Sequence, residues 1–250
     1  MERDDPEGVA AFHVPDAPLL AGTPVTLGED VLHHLRVRRV GVGARVALLD
    51  GMGHRAEGTL VRQSKVSATV EVDRVEDLPA LPPVHLLVPI ADRDRMLLLA
   101  EKVAELGASS WRPVLYRRSR SVKPRGEGPM FGAKVRARMA SALEQSRGGW
   151  LPVVYPEATL ERALLAVPEG ARLMLDAAGV PVRALPLAAP LTLAVGPEGG
   201  FEPEERAAFE AAGFTGAALG GHILRFETAV IAGLAIARSA IAPLETPDVR

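Results

Sequence analysis

Gly196-Pro197-Glu198-Gly199-Gly200 is the segment best equipped to hold a ligand. Three glycines let the backbone turn tightly or lie close to a bound molecule, and Pro197 stops a strand from running on. The loop lacks the Gly-Lys-Ser/Thr of a P-loop and the G-x-G-x-x-G that opens a dinucleotide-binding helix. Glu198, with Glu202, Glu204 and Glu205 close behind it, would repel a phosphate. Backbone groups and carboxylates suit a neutral or cationic ligand instead. A second glycine turn, Gly220-Gly221, comes one helix and one strand later, followed by Ile223-Leu224-Arg225. Arg225 is the candidate for holding negative charge that develops in a reaction, and Glu198 is the candidate base. Each also has a plainer use: Arg225 in an ion pair with Glu198 or Glu227, Glu198 as a carboxylate that orients its loop.

The pattern around these loops predicts the frame that carries them. Leu191–Val195 is short, apolar and bounded by Pro190 and Gly196, as in a strand buried on both faces. Pro203 opens a helix that Gly213 closes, Ala217–Leu219 reads as a strand, and Glu227–Ile241 as an apolar helix. Upstream, Val84–Ile90, a helix over Met96–Leu106 and Trp111–Tyr116 give strand, helix, strand, the signature of a parallel α/β sheet. Ala171–Leu175 is a further strand, and Asp176-Ala177-Ala178-Gly179 after it reads as a third loop. Loops at the carboxyl ends of parallel strands form the ligand crevice. The same glycines also suit a plain strand–turn–helix, and spacing alone leaves both readings open.

Residues 1–77 read as a small β domain: Arg45–Leu49, Ala56–Val61 and Ala68–Val72 carry strand patterns, Gly51-Met52-Gly53 a turn, and Glu29–Leu35 a short helix. His33 and His34 lie beside Arg36, Arg38 and Arg39; the arginines are candidates for RNA contact, and no metal spacing accompanies the histidines. Residues 78–83, with three prolines, read as a linker, leaving 84–250 as the second domain. The net charge of −2 hides a basic middle: residues 112–148 hold ten Lys/Arg against two Asp/Glu. Much of that charge is the run Arg117, Arg118, Arg120, Lys123 and Arg125, at the carboxyl end of a strand. It reads either as a solvated loop or as a contact for an RNA backbone, and its place favours RNA. On that reading the run serves RNA and leaves the small-ligand loop alone. Glu144 and Arg147 read as a helical ion pair or as part of a motif. There is no cysteine, and no apolar run is long enough to span a bilayer, so a soluble, cytoplasmic protein without metal is expected.

GPEGGF-x-PEE at 196–205 and LG-x-x-ILR-x-ETA at 219–229 together resemble the RsmE family of 16S ribosomal RNA uridine N3-methyltransferases, in the SPOUT superfamily. HHLRVRRVGVGARVALLDG at 33–51, EKVAELG at 101–107 and EQSRGGWLP at 144–152 fit in the same order. The resemblance implies an N-terminal PUA-like β-barrel that binds RNA. It also implies a SPOUT-type parallel sheet with a C-terminal trefoil knot, and a homodimer acting on 16S ribosomal RNA or the small ribosomal subunit. S-adenosyl-L-methionine is the implied cofactor, held by Leu175, Gly196, Pro197, Glu198, Gly199, Gly200, Leu219, Gly220, Ile223, Leu224 and Thr228. Rival readings are a SPOUT methyltransferase acting on transfer RNA ribose and a non-catalytic RNA-binding module. Four positions depart from the pattern: Glu202 replaces a serine-like helix cap and should weaken capping, Gly221-His222 replaces Pro-Arg, and Phe226 replaces Thr.

Overall fold

The computed structural model describes residues 9–119 and 129–241, without the side chains of 30, 129 and 130. Packing divides the chain into two units, residues up to 80 with 140–151, and 81–139 with 152 onward.

The first unit is a five-stranded sheet in the order β1-β3-β4-β5-β2, built from β1 (Ala10–His13), β2 (Pro24–Leu27), β3 (Arg45–Leu49), β4 (His54–Gln63) and β5 (Ala68–Asp77). β1 runs parallel to β3 and the other pairs are antiparallel. Helix α1 (Glu29–Val37) extends two residues beyond the expected Leu35 and buries Leu32 and Leu35, one turn apart, on the sheet's core. Gly51 and Gly53, at φ +75° and +103°, make the β3–β4 turn possible. β1 and β2, four residues each and only part-buried, have no counterpart in the expected strands.

Residues 140–151 belong to this unit, although the sequence reading assigned the whole of 84–250 to the second domain. They bring Glu144, whose side chain is 5% exposed, against the sheet. One carboxylate oxygen accepts the His13 N–H at 3.0 Å, and the other lies 3.5 Å from His34 Nδ1 and 3.6 Å from Arg38. Glu144 therefore joins three partners across the fold, and the expected i, i+3 pair with Arg147 is absent; Arg147 ends the helix at φ +58°. Trp150 completes the seam by donating to Leu78 O at 2.8 Å. Glu144→Ala should cost about 1–3 kcal/mol, because the His13 N–H is left buried without an acceptor. A denaturant midpoint equal to that of the wild-type chain would exclude this role.

The second unit is a seven-stranded sheet in which every described pairing is parallel. Its elements are β6 (Val84–Pro89), α2 (Arg93–Glu105), β7 (Ser110–Leu115), the first part of α3 (Pro129–Ser146, whose residues 140–146 belong to the first unit), β8 (Val153–Val154), β9 (Ala158–Thr159), α4 (Leu160–Leu165), β10 (Ala171–Pro181), β11 (Leu191–Val195), α5 (Pro203–Ala211), β12 (Thr215–Ala218) and α6 (Phe226–Ile241). The order is β12-β10-β11-β6-β7-β8, with β9 beside β7. β11 lies between β10 and β6 with all five residues buried, which is why its sequence shows no alternation. β10 corrects one expectation: Asp176-Ala177-Ala178-Gly179 is not a free loop. The strand continues to Pro181, with a register break between Leu175 and Val180 where it pairs with β12. The Arg238 side chain, from α6, caps the C-terminal end of α2, donating to the carbonyls of Leu106 (3.2 Å), Gly107 and Pro82.

Candidate active site

Because the strands are parallel, the carboxyl ends of β6, β7, β10, β11 and β12 lie along one edge, and the glycine loops leave from there. The 196–200 loop is closed by a Gly200 N–H to Pro197 O bond of 2.8 Å. Gly200, at φ +73°, is the residue that needs a left-handed conformation. Gly196 sits directly on Phe201, whose ring atoms would lie 3.0–3.2 Å from an added Cβ. Phe201 meets Tyr116 and Phe209 edge-to-face, with centroids 5.3 and 5.1 Å apart, so a packed aromatic floor fixes the loop's height.

Two polar clamps fix the loop's exit. Glu205, 5% exposed, accepts the Glu202 N–H on one oxygen at 2.9 Å and the Arg117 N–H on the other at 2.8 Å. Arg118 grips the Glu202 carboxylate with two N–H groups, at 2.7 and 3.1 Å, and donates to Gly199 O at 2.6 Å. Two expectations change here. Glu202 does not leave the head of α5 loose, since Glu205 reaches back to it and Arg118 chelates it. The start of the basic run also does not leave the small-ligand loop alone. Arg118 is committed to that loop, while Arg117, more exposed, lies 3.4 Å from Glu204.

Two clefts flank Pro197, Glu198 and Phe226. The first, of about 190 Å³, is bounded by β10 at its register break (Leu175–Ala177), the 196–200 loop and the 219–224 segment. Its walls are apolar at Leu175, Val195, Ile223 and Leu224 and acidic at Asp176 and Glu198, with Asp176 paired to Arg206. The second, of about 470 Å³, is bounded by Pro89–Asp92, Arg95, Arg118, Ser119 and the far side of Pro197–Gly199.

Residues 79–238 match the RNA methyltransferase domain family, and residues 27–73 match the RNA methyltransferase PUA domain. Ribosomal RNA small subunit methyltransferase E of Synechocystis sp. is 30% identical over 250 residues, covering 94% of this chain and 80% of that protein. The chain belongs to this methyltransferase E family. The Mycobacterium bovis member is 29% identical over 239 residues, 89% of this chain and 88% of its own length. A crystal structure of the Neisseria gonorrhoeae member bound to S-adenosyl methionine superposes with a TM-score of 0.82 at 28% identity. It covers 92% of this chain and 97% of that one.

Nine of the residues the resemblance assigns to a cofactor line the first cleft: Leu175, Gly196, Pro197, Glu198, Gly200, Leu219, Gly220, Ile223 and Leu224. Gly199 lines only the second cleft, where an added Cβ would lie 3.2 Å from Arg118, and Thr228 lines neither. Arg225 is exposed between Leu224 and Phe226 and has no carboxylate within ion-pair distance among the described residues. Its two suggested partners are both near Arg95 instead: Glu198 is hydrogen-bonded to it, and Glu227 lies 3.9 Å from its Nε. Arg36 is exposed and donates to Lys65 O, Arg39 stands at φ +55°, and Arg38 is held by Ala11 O, Glu144 and the face of Phe12. Arg120, Lys123 and Arg125 lie outside the described residues.

Asp176, which the sequence places in a crevice loop, does line the first cleft, though from within β10; reading from sequence missed Phe226 as the divider of the two clefts, and Arg95. Each stands at or just past the carboxyl end of a strand or at the head of α6, the same signal that pointed to the glycine loops.

Proposed function

We propose that this chain transfers a methyl group from S-adenosylmethionine to N3 of a uridine in 16S ribosomal RNA. The observation that carries the reading is the first cleft, formed where glycine-rich loops meet the ends of three parallel strands in a chain of this family. The cleft fits the cofactor on its own terms. Gly220 has open space where a side chain would stand, apolar walls suit a nucleoside, and Asp176 and Glu198 suit its positive charges. Leu175, Ile223 and Leu224 would hold the apolar parts, and the Gly196–Gly200 and Leu219–Gly220 backbones the polar ones. When bound, S-adenosylmethionine supplies an electrophilic methyl group on a sulfonium sulfur.

The chain's own residues have to make N3 a nucleophile, since uridine N3 carries a proton. Glu198 borders both clefts and is the proposed acceptor of that proton. Arg225, exposed at the rim and without a carboxylate partner among the described residues, is proposed to meet the negative charge that develops on the uracil ring. Arg36 and Arg39 on the PUA domain are proposed as RNA contacts of their own, and Arg117, Arg120, Lys123 and Arg125 as RNA contacts of the methyltransferase domain. We further propose a deep trefoil knot over the C-terminal stretch and a cytoplasmic homodimer. Support for the knot is the β12-β10-β11 order, which brings the chain back across strands it has already laid down. Support for the dimer is α6, whose Ile231, Ala235 and Ile241 stay half-buried while Val230 and Leu234 fill the chain's own core.

The test is methyl transfer from labelled cofactor to 16S RNA, to small subunits and to transfer RNA, with nucleoside analysis of the products. 3-Methyluridine in the ribosomal substrates supports the reading; label only on transfer RNA ribose, or cofactor binding without transfer, supports a rival. Arg118→Ala should raise the cofactor's dissociation constant about tenfold, because the 196–202 loop loses its hold on Gly199 O and Glu202. A variant that loses RNA affinity but binds cofactor normally would restore the simpler reading of the basic run.

A further inference from the structure

The second cleft is built around a guanidinium held unusually firmly. Asp92 caps α2, accepting the Arg95 N–H at 3.1 Å on one oxygen, while its other oxygen lies 3.1 Å from Arg95 Nε. Glu198 takes one N–H of the terminal nitrogens. Four of the five guanidinium N–H groups therefore have no hydrogen-bond acceptor among the described residues, on a side chain that lines the cleft. Glu227, 8% exposed at the head of α6, has one carboxylate oxygen buried without a hydrogen-bond partner and the other 3.9 Å from Arg95. Among the described residues, the charged and titratable groups around Glu198 are Arg95 and Asp92 at the head of α2, Glu227 from α6, Arg118 from the turn after β7, and Asp176, Arg206 and His222 in the first cleft.

We propose that this second cleft seats the target base and that Arg95 and Glu198 read its imide edge as a unit, choosing uracil over cytosine. The inference rests on the methyltransferase reading above. Uracil presents a carbonyl, N3–H and a second carbonyl; a carboxylate flanked by a guanidinium is the complementary pattern. Glu198 accepts from N3–H and Arg95 donates to the neighbouring carbonyl oxygen. Cytosine offers a lone pair at N3 and an amino group beside it, so it would face a carboxylate and a guanidinium with like against like.

The same pair moves the proton. The N3–H bond breaks and the proton ends on a Glu198 oxygen; the electron pair left on N3 would form the N–CH3 bond as the cofactor's S–CH3 bond breaks, its electrons staying on sulfur in a neutral thioether product. A neutral Glu198 no longer attracts Arg95, so the acid leaves the ring edge open and the guanidinium turns to the charge now spread over the ring oxygens. Asp92 and Glu227 keep Arg95 in place through the change.

The experiment uses the full chain and 16S RNA whose methylated uridine, located by mass spectrometry, is kept or replaced by cytidine. Single-turnover rates are measured against pH for the wild type, E198Q, R95A and R95K. Cofactor affinity, melting temperature and RNA binding without cofactor are measured beside them. E198Q should slow transfer about a hundredfold at neutral pH, with a rate that climbs about tenfold per pH unit toward the alkaline range where N3 ionises unaided. R95A should lose about as much, R95K should recover about tenfold of it, and the cofactor affinity of both Arg95 variants should stay within about threefold. The cofactor-free wild type should prefer the uridine RNA, and R95A should erase that preference. A wild-type pH profile in E198Q, a rate loss in R95A matched by lost cofactor affinity and melting temperature, or equal binding of both RNAs would each overturn the proposal. A wild-type chain that binds cofactor but methylates no ribosomal uridine would instead overturn the reading beneath it, and the proposal with it.

Discussion

Gly220→Val is expected to abolish S-adenosylmethionine binding while leaving the fold unchanged. Gly220 lines the first cleft, and an added Cβ there meets no atom within 4 Å. Its φ lies outside the left-handed region, so a side chain brings no backbone strain. The valine branches would occupy space that belongs to the ligand, in a cavity of about 190 Å³ where little room is spare. Calorimetry should show a loss of at least about a hundredfold in affinity, about 2.7 kcal/mol, with the melting temperature of the wild-type chain. Gly199 is a worse probe than the sequence made it, because its missing Cβ faces Arg118 and not the first cleft. Gly196→Val would press on the Phe201 ring, so a loss of binding there would be confounded with unfolding of the loop. Normal affinity in Gly220→Val would remove the second glycine turn from the cofactor site.

Arg225→Ala carries the second large effect. Leu224 and Phe226 on either side of it line the first cleft, yet its own side chain is exposed and unpaired among the described residues. An arginine tying the loops together would have a carboxylate partner; Glu198 and Glu227 are both near Arg95 instead. Its charge is therefore available to the RNA. The methyl-transfer rate on RNA should fall about a hundredfold, the scale for removing one preorganised donor from developing negative charge. Melting temperature and cofactor affinity should not move. A thermal defect, or weakened cofactor binding in proportion to the rate, would make Arg225 a structural residue.

How much of this was readable in advance depends on the range of the interaction. β11 was legible to the residue because five apolar side chains between Pro190 and Gly196 have few other uses. β3 was equally plain, whereas β1 and β2 are too short and too mixed in burial to leave a pattern. The glycine loops announced a site because backbone close to a ligand restricts residue type. What pairs with what did not show. Arg118 and Glu202 are 84 positions apart, and Arg95 and Glu198 are 103 apart; a charged residue's partner leaves no local mark on the sequence. The strand through Asp176–Gly179 was hidden for a related reason. Its residues have low strand propensity, and pairing with β12 beyond a register break overrides it. The membership of 140–151 in the first unit is likewise tertiary, since the helical pattern of α3 runs unbroken across the division.

The most direct test of the central claim is nucleoside mass spectrometry of 16S ribosomal RNA from cells lacking this gene, beside cells complemented with the wild-type or Gly220→Val chain. The account predicts that one 3-methyluridine disappears on deletion, returns with the wild-type gene and stays absent with Gly220→Val. A 3-methyluridine content unchanged by deletion, with a methyl group lost from another RNA, would contradict it.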